Sequence, residues 1–410
     1  MEGNKRVNKG YVAWLLILGA FLLIGIAAWV YELIFGLGVT GMRDVISWGL
    51  YIISFTFFVK LSAGGLIVAS SAEVFGAKAL RPLAKLGVLT AAVCISVAGL
   101  SIIADLGRPD RILNLFMHAH VTSPMVWDVT IVSLYFLLAV VELWLMSGKN
   151  HSVGRERTLK TLAVIGLPAA FSLHSITAFI FGLQISRPFW NTALMPPLFV
   201  VSAIVSGTAL VAIIVWILEK IKAVKLSGKT WNTLCILMAV SLAIDLFMTF
   251  CDYLTTLWDK VPDDLKVLST LLPGGRYEPL FWLEWVIGGA IPFIILVVPS
   301  LKRRVGLVAI AALLILVGVF AFQTELVVAG MANPLIQLPP GISVGTFTLG
   351  ASSFELVGQY MPTWVELAIL IGLLALIAIL TILGYRFLNI KGSMKDSEES
   401  WSQSVRGETT

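Results

Sequence analysis

Residues 84–146 read AKLGVLTAAVCISVAGLSIIAD, then LGRPDRILNLFMHAHVTS, then PMVWDVTIVSLYFLLAVVELWLM. The first and third pieces are each about 20 residues of almost unbroken apolar sequence, the length a helix needs to cross the hydrocarbon core of a bilayer. The middle piece is a turn. Gly107 permits a tight reversal after the first helix, Pro109 prevents that helix from continuing, and Pro124 suits the first position of the next one. Arg108 and Arg111 stand close in sequence to Asp105 and Asp110, so the turn is polar where it leaves the apolar phase. The stretch is two membrane helices joined by a structured loop, and the rest of the chain repeats that pattern.

Of 410 residues, 58% are hydrophobic and only 13% charged, and the mean hydropathy is +0.93. A soluble chain carries about 25% charged residues, so composition excludes a water-soluble enzyme, a disordered regulator and a nucleic-acid-binding domain. The expected class is an all-α integral membrane protein. Ten spans are predicted, near 11–35, 46–75, 84–105, 124–146, 160–184, 193–219, 232–258, 280–300, 304–329 and 361–388. The first follows basic residues but is too long for a signal-peptide core and lacks a small-x-small cleavage site, so it reads as a mature helix.

Lys and Arg fix the expected orientation, because cytoplasmic loops retain them. Of the 29 basic residues, about 21 fall on the side of the N-terminus and about 7 on the other, with Lys60 inside a span. Both termini are therefore expected in the cytoplasm, and the +5 net charge reflects topology. The outward loops are then 36–45, 106–123, 185–192, 259–279 and 330–360. In the last, both a short hairpin or partner-docking flap around Thr346-Phe347-Thr348-Leu349 and a plain solvated loop fit the sequence. The tail from 391, with Asp396-Ser397-Glu398-Glu399-Ser400, reads as disordered.

An ionisable side chain inside a span costs several kcal/mol, so each is a functional candidate by default. Asp105, Asp128, Asp252, Glu284, Glu325 and Glu366 fall near the outer ends of their spans, where a ring of carboxylates snorkelling to headgroups is the competing explanation. Asp105 closes one helix and Asp128 opens the next, so antiparallel packing is expected to bring them to one level beside the 106–123 loop. Lys60, Asp245 and His174 lie deeper, and Glu142 lies towards the inner end. Lys60, near the middle of its span and so about 20 Å from either end, must pair with a carboxylate or line a hydrated cavity. His174 fits either a ligand hydrogen bond or a helix carbonyl.

Absences matter too. Cys94, Cys235 and Cys251 sit in apolar runs without CxxC spacing, the pattern of buried small hydrophobes and not of a disulfide, zinc or iron-sulfur site. Of four histidines, His118, His120, His151 and His174, only His174 lies in a span, and one histidine cannot supply both axial ligands of a bis-histidine haem. Any redox role is therefore expected to be haem-free. No Walker or Rossmann glycine loop is present.

The segments Asp105-Leu106-Gly107-Arg108-Pro109-Asp110-Arg111 and Ser123-Pro124-Met125-Val126-Trp127-Asp128 resemble the hallmark of the NrfD/polysulfide-reductase membrane-subunit family. Further matches are Ser47-Trp48-Gly49-Leu50-Tyr51, His174-Ser175, Pro188-Phe189-Trp190, Met195-Pro196-Pro197-Leu198-Phe199, Ser206-Gly207 and Tyr360-Met361-Pro362-Thr363-Trp364-Val365-Glu366. The last motif and the ten spans look like the longer branch, with hydrogenase HybB-type and alternative-complex-III-type subunits, more than the eight-span polysulfide reductase subunit.

That resemblance implies two four-helix bundles, spans 2–5 and 6–9, flanked by the first and last helices. Residues 1–35 would hold the N-terminus and first helix, 36–192 the quinone-site bundle, 193–330 the second bundle, 331–390 the outer loop and last helix, and 391–410 the tail. It implies a haem-free quinone site (menaquinone or ubiquinone) near the outer face of the cytoplasmic membrane. A ferredoxin-like iron-sulfur subunit would dock outside, connected to a molybdenum enzyme, a hydrogenase or a multihaem cytochrome. Asp105 and Asp128 would exchange protons with the quinone, Arg108 would orient the loop, and His174 would lie nearby.

The residue chemistry is compatible. A quinone needs an apolar slot, a few hydrogen-bonding groups and titratable residues to accompany two electrons with two protons. Trp48, Phe116, Met125 and Trp127 suit its apolar walls, or equally an interfacial aromatic belt. Lys60, Glu142, Asp245 and Asp252 are candidates for a proton path. The competing function is an ion-coupled secondary transporter, which would show two matching broken helices; Pro168, Pro196-Pro197 and Pro292 form no obvious inverted pair. A purely structural scaffold would leave the clustered carboxylates unexplained.

Overall fold

The computed structural model describes residues 9–43, 45–148, 153–333, 343–344, 347–348, 358–392 and 394. Among them are ten helices long and apolar enough to cross a membrane: α1 Gly10–Phe35, α2 Leu50–Val74, α3 Lys78–Asp105, α4 Pro124–Ser147, α5 Val153–Gly182, α6 Met195–Lys220, α7 Gly228–Asp259, α8 Glu278–Val297, α9 Val305–Ala332 and α10 Trp364–Phe387. The fold is all-α and multi-pass, as composition and hydropathy predict.

Several boundaries move: α3 starts at Lys78 where 84 was expected and α7 at Gly228 where 232 was expected, and two further shifts have a plain physical reason. Hydropathy starts the fifth span at 160, but α5 begins at Val153, because the polar stretch Gly154-Arg155-Glu156-Arg157-Thr158 continues the helix beyond its apolar part. Conversely α2 begins at Leu50, after a non-helical lead-in whose last residue, Gly49, lies against the Tyr360 ring. Lys60 therefore stands about 15 Å from the Leu50 end and about 21 Å from the other, not midway.

Helix α2 is the hub. Its whole apolar window is buried, which suits a helix hydrophobic all round. It packs on α3 and α5, while α4 lies across α3 and α5, closing the first four-helix bundle. Helix α6 packs on α7 and α9, and α8 packs on α9 and α7, closing the second. The bundles meet through α2, α5 and α6, and α1 pairs with α10 along the flank of α3.

In lipid no hydrophobic force drives helices together, so small residues that let backbones approach set the crossings. At the junction of the bundles a Cβ on Gly207 would stand 2.3 Å from Gly64 Cα, and one on Gly64 would stand 2.2 Å from Ala203 O. Gly207→Val is accordingly expected to cost about 3 kcal/mol or more through overpacking. The check is size-exclusion chromatography in detergent, where a monodisperse, wild-type-like peak would contradict this account of the junction.

Two helices of the second bundle are locally widened. Leu283–Ala290 in α8 and Glu325–Ala329 in α9 form π-helical turns, a distortion that recurs at functional sites. Each holds a buried glutamate, Glu284 or Glu325, in its first turn.

In the 330–360 loop, Ser343–Val344 pairs antiparallel with Phe347–Thr348, so the hairpin is what forms at those four residues. Thr346 and Leu349 lie outside the described residues, as does Asp396 through Ser400. The chain stays packed slightly past 391: residues 390–392 are helical and Met394 is buried.

Candidate functional site

Three buried polar groups occupy the helix bundles. The first lies where α1, α2, α3 and α10 meet. Tyr51 on α2 donates its hydroxyl hydrogen to Glu32 Oε2 on α1. Glu366 on α10 accepts from Gly41 N at 2.6 Å, Thr363 N at 2.9 Å and the Tyr360 hydroxyl at 2.5 Å. The Tyr360 oxygen in turn accepts from Leu50 N at 2.6 Å, at the mouth of α2. Burial, and the adjoining Glu366 carboxyl, push the Tyr360 phenol well above its ordinary range. Asp105 on α3 sits in the field of Glu32 and Glu366, and its Oδ1 is shielded with no hydrogen-bond partner.

The second group joins α4 to α5. Asp128 is only 2% exposed, and its Oδ1 accepts from Thr177 Oγ1 at 2.6 Å. His174, one helical turn before Thr177 and 1% exposed, places Nδ1 3.1 Å from Ala170 O. A carbonyl only accepts, so Nδ1 carries the hydrogen and Nε2 keeps the lone pair. That Nε2 is buried without a partner.

The third group runs from α2 into the second bundle. Lys60, wholly buried, donates to Ser202 Oγ on α6 at 3.1 Å, and its ammonium lies 4.2 Å from the Phe199 ring centre and 4.8 Å from that of Phe322. Asp245 on α7 and Glu284 on α8 are the carboxyls whose fields reach it. Beyond Glu284 comes Glu325 on α9, whose Oε2 accepts from the Tyr253 hydroxyl at 2.8 Å. Asp245 Oδ1, Glu284 Oε2, Glu325 Oε1 and both amide atoms of Gln323 are shielded and unpartnered. Native interiors seldom strand so many polar atoms, and such clusters mark sites where water or a ligand belongs.

The residues singled out from sequence separate between these groups. Asp105 faces the α1/α10 carboxyls, Asp128 bonds Thr177 across α4 and α5, and His174, one turn before Thr177, lies within the field of Lys60 on α2. Arg108 forms a two-point, exposed ion pair with Asp110, 3.0 Å at each contact. That pair holds Asp110 below and Arg108 above their ordinary pKa values. Trp48 stacks on Trp190 at 5.8 Å and meets Phe181 edge-on. Phe116 and Met125 are 54% and 48% exposed, and Trp127, also exposed, donates to Val121 O at 2.5 Å. These three face outward, apart from the Trp48 cluster. Glu142 is buried on α4 with Oε2 unpartnered, and Asp252 accepts from Thr192 Oγ1 at 2.9 Å.

Snorkelling does not describe Glu284, Glu325 or Glu366, all of which are buried between helices. Sequence reading passed over Glu32, Tyr253 and Gln323, and the roles of Tyr51 and Tyr360. A carboxyl in the last turns of the first span was the available signal for Glu32.

The fold is that of a ten-helix membrane protein with ionisable side chains sealed between its helices, where the bilayer makes them costly. More particularly, the chain belongs to the polysulphide reductase, NrfD family, whose profile matches residues 38–334. It is 35% identical over 404 residues to a putative dimethyl sulfoxide reductase membrane subunit of Halobacterium salinarum, covering 94% of this chain and 92% of that protein. It is 22% identical to a selenate reductase subunit of Mesobacillus selenatarsenatis, over 94% and 95% of the two chains. It is 23% identical to the integral membrane subunit of a menaquinone reductase of Nitratidesulfovibrio vulgaris, over 95% and 94%.

Proposed function

We propose that this chain is the haem-free, quinone-reactive membrane subunit of a respiratory oxidoreductase complex. It would pass electrons between the quinone pool and an iron-sulfur subunit docked at the end that carries the 106–123 loop. The basic bias of the opposite loops supports placing that end outside the cytoplasmic membrane, with both termini inside. The relatives' names support an oxidoreductase assembly with a separate catalytic subunit, and the menaquinone reductase supports menaquinone as the quinone.

The observation that carries the reading is the unpartnered Nε2 of His174 beside the Asp128–Thr177 hydrogen bond. On the same two helices Phe171 and Trp127 are exposed at the protein surface. The donor set fits a quinone. His174 Nε2 offers an acceptor to a hydroxyl, and Asp128 offers a carboxyl that can hold or release a proton. When bound, a quinone supplies a two-electron, two-proton redox couple. Thr177 fixes the Asp128 carboxyl, and Ala170 O fixes the ring orientation of His174. Each group is thus held in one orientation, Asp128 for proton exchange and His174 to accept a hydrogen bond, one helical turn apart along α5.

Lys60, Asp245, Glu284 and Glu325 extend polar chemistry from this bundle into the next, and we read them, with Glu142 and Asp252, as the route by which protons reach or leave the site. The test of the functional reading is purification of the tagged chain from its own membranes in mild detergent, with mass spectrometry of co-purifying proteins and extracted lipids. A stoichiometric multi-cluster iron-sulfur protein together with retained quinone is expected. Isolation as a lone polypeptide without quinone under several mild detergents would overturn it.

A further inference from the structure

At the end of the protein opposite the 106–123 loop, a cavity of about 1100 Å³ opens between the α6–α7 turn and the α8–α9 turn. Lys222, Lys225, Lys302, Arg303 and Lys391 line it, against one carboxylate, Glu219. Glu219 is committed elsewhere: its Oε1 accepts from Leu226 N at 2.9 Å and from Trp231 Nε1 at 3.2 Å. Among the described residues the ion pairs are Arg81–Glu73 and Arg108–Asp110, so no carboxylate there answers any of the five cations. The deeper wall is apolar, built by Val224, Leu226, Trp231 and Val305. Lipid-facing isoleucines, Ile217 and Ile221 on or just after α6 and Ile236 on α7, lie beside it in sequence and are well exposed.

From this geometry we propose a binding site for the phosphodiester headgroup of an anionic phospholipid. Its position at helix ends sets it at headgroup depth. The cationic rim matches a phosphate, and the apolar wall suits glycerol and the first acyl carbons. Positive-inside topology alone accounts for basic residues on this side, but not for their gathering around a cavity of ligand-binding size. Basic recesses between membrane helices hold anionic headgroups by this combination of charge and apolar depth. The site is separate from the buried polar groups described above and does not depend on the proposed quinone chemistry.

The test uses the full chain in whatever complex it purifies with. Native mass spectrometry would count bound lipid after titration with dioleoylphosphatidylglycerol, with dioleoylphosphatidylcholine as the neutral comparison. The wild type is expected to hold one phosphatidylglycerol that resists millimolar inorganic phosphate. The variant Lys222→Gln/Lys225→Gln/Lys302→Gln/Arg303→Gln is expected to bind it at least about tenfold more weakly. Replacing the three lysines by arginine should preserve binding, which separates charge from damage to the fold.

Equal retention by the glutamine variant would overturn the proposal. So would displacement by inorganic phosphate, which would define a soluble-anion site. So would binding that appears only after truncation beyond Met394, since that would make the acidic Asp396, Glu398 and Glu399 the natural occupants.

Discussion

Quinone-linked turnover of the assembled complex is expected to fall about a hundredfold or more when His174 is replaced by leucine, the scale on which a positioned proton acceptor contributes. Folding should barely notice. The side chain makes one hydrogen bond, to Ala170 O within its own helix, and losing it costs about 1 kcal/mol. Leucine also removes an unpartnered buried nitrogen, which offsets part of that loss. Asp128→Asn sharpens the test, because an amide oxygen still accepts from Thr177 Oγ1 but cannot take up a proton. It should leave the melting temperature within a few degrees while lowering turnover as His174→Leu does. Activity of the partner subunits with artificial dyes, which bypasses the membrane subunit, should be unchanged in both. If quinone-linked turnover of His174→Leu stayed within twofold of wild type, the assignment of this group to quinone chemistry would fail.

Hydropathy read nine of the ten spans to within about six residues at either end, because the bilayer demands a continuous apolar run and the sequence has no other way to meet it. What escaped was angular information. The acidic residues near the ends of α8, α9 and α10 have a depth that sequence reveals, but whether each turns to headgroups or inward depends on neighbours. The π-helical turns at Leu283–Ala290 and Glu325–Ala329 alter that facing in a way no periodicity anticipates. Partners are distant as well. Lys60 meets Ser202 across 142 positions and Tyr253 meets Glu325 across 72. His174 and Thr177 are one turn apart and so legible as one face, whereas the bond from Thr177 to Asp128 required the α4–α5 packing. Loop length predicted one level for Asp105 and Asp128 but could not give the direction each faces. In the structure α3 turns Asp105 towards α1 and α10, where Glu32 and Glu366 already sit.

Lys60 allows the sharpest separation of structure from transport. Its ammonium is enclosed by Phe199 and Phe322 and bonded to Ser202, with Asp245 and Glu284 as the facing carboxyls. Removing one member of a buried charged cluster costs about 3–5 kcal/mol, because the remaining charges lose their compensation. Lys60→Met should therefore lower stability by that amount and stop proton movement coupled to quinone turnover. Both effects in one variant would not distinguish a strut from a conductor. The double variant Lys60→Met/Asp245→Asn does. Neutralising a facing carboxyl relieves much of the imbalance, so the melting temperature should recover towards wild type, as expected when coupled residues are removed together. Proton conduction has no such compensation, since neither new side chain can exchange a proton. In sealed vesicles, quinone-driven acidification or alkalinisation should be absent from the double variant, and quinone-linked electron transfer, which on the proposed reading draws or releases its two protons by this route, should slow with it while dye-linked activity of the partner subunits is unchanged. A stable double variant that moves the wild-type number of protons per quinone would show that Lys60 and Asp245 hold the bundles together and carry nothing through them.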